Sequence, residues 1–166
     1  RIAAFGGVIP DGSALIVNST LDLNGYSETV GSLAGSGTVT SNAGATMTLT
    51  AGGDNTSTSF SGVIQNGSST GVSLYKTGTG SLSLSGNNAY SGTTWLLGGA
   101  LNMNSTSAIG TSALTIFNGT TIGNTSGSAI TLATNNTATL SGDFSFGGTQ
   151  DLNLGILRNR KSFYRL

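Results

Sequence analysis

The chain has 166 residues, 36% of them hydrophobic and only 7% charged, with a formal net charge of zero. That length allows one or two ordinary domains, and so little charge excludes ion-pair networks and strong electrostatic steering as the means of holding the fold or choosing a partner. Cysteine and histidine are absent, which excludes disulfides, thiolate and imidazole metal sites, cysteine catalysis and Ser-His hydrolysis.

Taken in chain order, alternating apolar and small polar residues recur at 13–18 (SALIVN), 20–24 (TLDLN), 46–50 (TMTLT), 71–75 (GVSLY) and 81–85 (SLSLS). They return at 100–104 (ALNMN), 113–117 (ALTIF), 129–133 (AITLA), 143–147 (DFSFG) and 151–155 (DLNLG). Apolar residues two apart share one face of a strand, so each run predicts a half-buried β-strand. Between the runs stand Asn24-Gly25, Asn66-Gly67, Gly86-Asn87-Asn88 and Asn118-Gly119, all turn-forming pairs where φ must be positive. Spacing between runs varies, which suits a coiled solenoid whose turns lengthen freely better than a series of tight hairpins.

Twenty-seven glycines and a single proline, Pro10, make glycine the punctuation of the chain. Ordering backbone costs roughly 1–2 kcal/mol per residue, and burying one Leu returns only about 1.5–3 kcal/mol. An isolated hairpin of this composition would not persist, whereas many stacked rungs would. No window carries helix caps with a wide apolar face, and none approaches eighteen consecutive apolar residues. The expected class is all-β.

The chain does not begin with methionine or a secretory leader pattern, and is expected to be a piece of something longer or already processed. Four of its six cations, Arg158, Arg160, Lys161 and Arg165, lie in the last eleven residues. Residues 1–155 are therefore expected to form the solenoid, and 156–166 a basic tail or terminal cap outside the repeat.

One stretch is more specific. From Leu74, the sequence LYKTGTGSLSLSGNNAYSGTTWLLGGAL resembles the autotransporter-associated β-strand repeat. The resemblance rests on Leu74, Lys76, Gly78, Gly80, Leu82, Leu84, Gly86, Asn88, Tyr90, Gly92, Thr94, Gly99 and Leu101. The flanking sequence from about residue 20 to 155 is similar to segments found beside such repeats. WLLGGAL departs from the pattern, since a small polar-aliphatic strand is usual there.

The resemblance implies a right-handed parallel β-helix in the passenger region of a large bacterial surface protein, exported through a C-terminal outer-membrane barrel that this sequence does not contain. It implies a non-catalytic structural or adhesive module, a stalk or presentation scaffold at the cell surface or secreted. Its partners would be neighbouring repeats of the same parent chain, together with surface glycans or host and matrix molecules. Leu82 and Leu84 are then expected inside, Asn88 in an amide ladder and Tyr90 over a corner.

Other chemistries are less well supported by the residues. Asp11, Asp22, Glu28, Asp54, Asp143 and Asp151 are widely separated, and the alternative function, a polysaccharide-binding or polysaccharide-cleaving β-helix, requires two carboxyls to meet. It also requires Tyr75, Tyr90 and Trp95 to converge with acids in one groove. GGDN at 52–55 has the flavour of a calcium-binding turn but occurs once. The glycines of KTGTGSLSLSG lack the Lys-Ser/Thr ending of a phosphate loop. No catalytic, metal or cofactor residues and no nucleic-acid partner are expected.

Overall fold

The computed structural model describes residues 2–3 and 7–155; the expected tail at 156–166 lies outside the described residues. Among the described residues the fold is all-β without a helix, a parallel β-solenoid of about 7 turns. After β1 (Ile2–Ala3), each coil visits three faces in order. Coil 1 is β2 (Ala14–Val17), β3 (Thr20–Asp22) and β4 (Glu28–Val30). Coil 2 is β5 (Ser32–Gly35), β6 (Thr38–Thr40) and β7 (Thr46–Ala51), and coil 3 is β8 (Thr58–Phe60), β9 (Val63–Ile64) and β10 (Gly71–Lys76). Coils 4 and 5 have strands on two faces only: β11 (Ser81–Leu84) with β12 (Thr93–Leu96), then β13 (Ala100–Met103) with β14 (Ala113–Ile116). Coil 6 is β15 (Thr120–Gly123), β16 (Ile130–Thr131) and β17 (Ala138–Leu140), followed by β18 (Phe144–Phe146) and β19 (Leu152–Asn153).

Stacking gives face 1 seven strands in the order β18-β15-β13-β11-β8-β5-β2, and face 3 six in the order β17-β14-β12-β10-β7-β4. Face 2 is split into β1-β3-β6-β9 and a separate pair, β16-β19. Every pairing is parallel, and the step between partners runs from 18 residues (Ala14 opposite Ser32) to 25 (Met47 opposite Val72). Variable steps leave the stacked strands in phase because the extra residues go into corners.

The core is a set of side-chain columns along the axis. On face 1, Leu82, Leu101, Ile122 and Phe146 are successive partners, while Phe60 and Leu84 stack with Gly35 and Met103. On face 3 one column runs Glu28, Leu49, Leu74, Thr94, Leu114 and Ala138. Its neighbour runs Val30, Ala51, Lys76, Leu96, Ile116 and Leu140. All except the terminal Phe146 and Leu140 and the corner Gly35 are buried. Unpaired ladder groups of one coil are satisfied by the next, so stability is a sum of nearest-neighbour terms.

Candidate functional site

The residues on which the repeat motif rests fall in coils 3 to 5, and the structure places them inside the stack or at its corners. Leu74, Leu82, Leu84 and Leu101 are buried column residues. Gly86 closes a glycine column at the corner between faces 1 and 2. A Cβ on Gly86 would overlap the Gly62 carbonyl oxygen, and one on Gly62 would overlap that of Gly37. These glycines are needed for space rather than for an unusual φ. Gly78 needs both: its φ is 65°, and a Cβ would overlap the Gly52 carbonyl. Gly80, Gly92 and Gly99 likewise press against the backbone of the preceding coil, at Thr56, Val72 and Gly80.

Lys76 ends β10 in an interior column, its stem buried at 1% exposure. Its Nζ reaches the corner and donates to the carbonyls of Thr77 (2.5 Å), Gly98 (3.3 Å) and Gly78 (3.4 Å). The ammonium thus ties the corner of its own coil to the corner of the next. Burial pushes its pKa below the ordinary 10.5, opposed in part by the Asp54 carboxylate. Asp54 is itself held below its usual range, first by the Ser32 hydroxyl and then by the Thr56 amide.

With a lowered folded-state pKa, the unfolded chain binds the extra proton between that value and 10.5, so stability rises with pH across that interval. Relative to Lys76→Met, which lacks the proton, the wild-type chain is therefore expected to gain stability between pH 7 and pH 10. Urea midpoints of the two proteins at both pH values measure it, and a constant difference would mean that the buried amine does not titrate in that interval.

Asn88 does not join an amide ladder. Its Oδ1 accepts from the Ile64 amide of coil 3 at 2.7 Å, and its Nδ2 donates to the Ala108 carbonyl of coil 5 at 2.6 Å. One side chain therefore spans three coils. Tyr90 is fully buried, and its hydroxyl lies 2.8 Å from Thr94 Oγ1, which lies 2.6 Å from Ser112 Oγ. Ser112 donates to the Ile109 carbonyl at 2.7 Å, closing a buried polar chain. Burial raises the Tyr90 pKa well above its ordinary 10.0, as a sealed phenol requires. Ser112 and Asn136, which donates to the carbonyls of Gly110 and Ser112 at 2.9 and 2.8 Å, belong to this cluster without any sequence signal that marks them.

Residues 74–103 match the family model described as passenger-associated-transport-repeat. The chain carries an autotransporter passenger repeat. Among curated proteins and among solved structures the comparison found no match. The passenger repeat implies a protein exposed at the surface or secreted.

The repeat's one unusual strand, β12, explains itself on the outer face. Trp95 is the register partner of Tyr75, and their rings stack 4.6 Å apart at 4°. Phe117 meets Trp95 edge-on at 5.7 Å. Rings stacked at about the spacing between strands cover one face of each other, and both side chains are half-buried. Tyr90 lies on the inside, away from both. Among the described residues no three His, Cys, Asp or Glu side chains gather into a metal-binding group.

The Tyr75–Trp95 pair is expected to contribute about 0.5–1.5 kcal/mol beyond its buried area. A double-mutant cycle with Tyr75→Ala and Trp95→Ala in urea unfolding should return a coupling of that size; additive losses would mean the stack is geometrically close but energetically idle.

Proposed function

We propose that this chain serves as a non-catalytic stalk or presentation scaffold within an exported bacterial surface passenger. One observation carries the reading: the residues that define the repeat are consumed by stacking. Leu74, Leu82, Leu84 and Leu101 fill the interior, the glycines admit the next backbone, Lys76, Asn88 and Thr94 reach polar atoms of neighbouring coils, and the Tyr90 hydroxyl is held inside by Thr94. That engagement of the motif's polar atoms within the stack supports the scaffold reading. A rod built from nearest-neighbour contacts supplies reach, and repetition extends it without new chemistry.

The test places the chain as spacer between an outer-membrane anchor and a displayed antigen-binding domain. Cells carrying the full assembly are expected to capture antigen-coated beads. Cells displaying the spacer alone are expected to bind neither polymeric glycans nor matrix proteins, and to release no reducing sugar from polysaccharides. Saturable binding by the spacer alone would replace the scaffold with an adhesive module, and sugar release would replace it with a glycosidase.

A further inference from the structure

We infer that face 2 of coils 4 and 5 is a seam that opens while faces 1 and 3 stay paired, with Asn88 as its clasp. The face-2 ladder stops at β9 and resumes only at β16 and β19. Between them stands one isolated bridge, Gln65 to Ala89. Faces 1 and 3 run through the same coils without interruption.

The backbone in the gap looks after itself. Ala108 donates to Ser105, Gly110 to Ser107 and Ser112 to Ile109, all three residues back, so residues 105–112 form consecutive turns rather than a rung of a ladder. Cross-coil backbone bonds here are single ties rather than a ladder: the Ala89 amide to Ile64 at 2.9 Å, Asn88 to Ser107 at 3.2 Å, Gly92 to Val72 at 3.0 Å, Thr111 to Tyr90 at 3.0 Å and Ala133 to Thr106 at 2.8 Å. Side chains add the rest, among them the two short bonds of Asn88 and those of Asn66, Ser105 and Asn136. The two Asn88 bonds satisfy the Ile64 amide and the Ala108 carbonyl, both on residues at 0% exposure.

What lies under each face sets the cost of opening it. Under faces 1 and 3 the columns are mainly Leu, Ile, Val, Met and Phe, interrupted by Glu28, Lys76 and Thr94, and exposing their apolar members costs the full hydrophobic term. Behind the seam, beside the apolar Ile64, Ala108, Ile109 and the Tyr90 ring, water entering would meet the Tyr90, Thr94 and Ser112 hydroxyls and the Asn88 amide, which it can hydrogen-bond. Opening is cheapest where apolar contacts are fewest and polar groups can be rehydrated. The seam coincides with the passenger repeat and the coil above it, giving the rod a compliant joint between the three-faced coils 1 to 3 and the coils where β16 pairs with β19. This inference does not depend on the scaffold reading.

Hydrogen exchange of the full chain, read by mass spectrometry across a series of low denaturant concentrations, tests it. Amides at 86–92 and 105–112 are expected to exchange through an opening with weak denaturant dependence, ahead of those at 81–84 and 93–96. Asn88→Ala is expected to speed exchange in the two seam segments by about 100-fold, by stranding a buried amide and carbonyl, and to leave the flanking strands within a few-fold. Leu82→Ala, which weakens face 1, is the control and should speed all four segments together. A uniform rise after Asn88→Ala, or wild-type seam amides as slow as those of faces 1 and 3, would overturn the seam. Should Asn88→Ala not fold, the wild-type comparison alone decides.

Discussion

Gly86→Ala is expected to destabilise the chain by about 3 kcal/mol, lowering the melting temperature by roughly 6–12 °C for a protein of this size, whereas Gly53→Ala should change stability by less than about 0.5 kcal/mol. A Cβ on Gly86 would overlap the Gly62 carbonyl, while one on Gly53 would meet nothing within 4 Å. Neither glycine has a positive φ, so the contrast isolates space from backbone conformation. The Gly62 carbonyl cannot retreat, because Gly62 is itself wedged against Gly37 in the same corner column. Relief can come only by parting coils 3 and 4, which weakens both continuous ladders at once. Thermal and urea melts of the two variants measure the difference, and equal, small effects would show that the corner column yields.

That column also accounts for the glycine content of the chain. An interior two or three side chains wide needs tight corners, and a corner that repeats every coil must stack backbone on backbone. Apolar residues are few because each coil buries a column residue or two per face, and the burial becomes sufficient only when summed over about seven coils.

Leu82 and Leu84 were legible because alternation in SLSLS leaves only one face apolar. The ten alternating runs each contain or overlap a strand, though at 129–133 the strand is only Ile130–Thr131. What alternation did not reveal were strands such as β5 (SLAG), β6 (TVT) and β8 (TSF). Each carries one large apolar residue, with glycine, serine or threonine beside it, and becomes a strand because rungs above and below offer it a ladder. Tertiary context overrides propensity in such segments.

The candidate site was legible as a motif and opaque as a geometry. Tyr75 and Trp95 meet because coil 4 steps by 20 residues, yet neighbouring steps range from 18 to 25, so no fixed period in the sequence pairs them. The same uncertainty hid the inward placement of Thr94 and Lys76, polar residues in columns that are otherwise largely apolar. Asn88 carried turn chemistry in GNN and could equally have faced a solvent-exposed corner. Its role became defined only by Ile64 and Ala108, 24 and 20 residues away.

The position where sequence and fold disagree most is Glu28. It begins β4 and heads the column that continues through Leu49, Leu74 and Thr94, buried at 2% exposure. Neither carboxylate oxygen has a hydrogen-bond partner among the described residues. A buried polar group without a partner costs about 1–3 kcal/mol by mutational measure, and a leucine of similar volume would continue the column over Leu49. Glu28→Leu is therefore expected to stabilise coil 1 by about 2 kcal/mol, visible as slower exchange of the amides in β2 to β4 and a higher urea midpoint. Glu28→Gln keeps an unpartnered polar end in the same place and should gain much less. The comparison separates burial of a polar group from the shape of the side chain: equal gains from Leu and Gln would assign the cost to charge alone, and a loss with Leu would mean that the carboxylate has a partner in the folded chain.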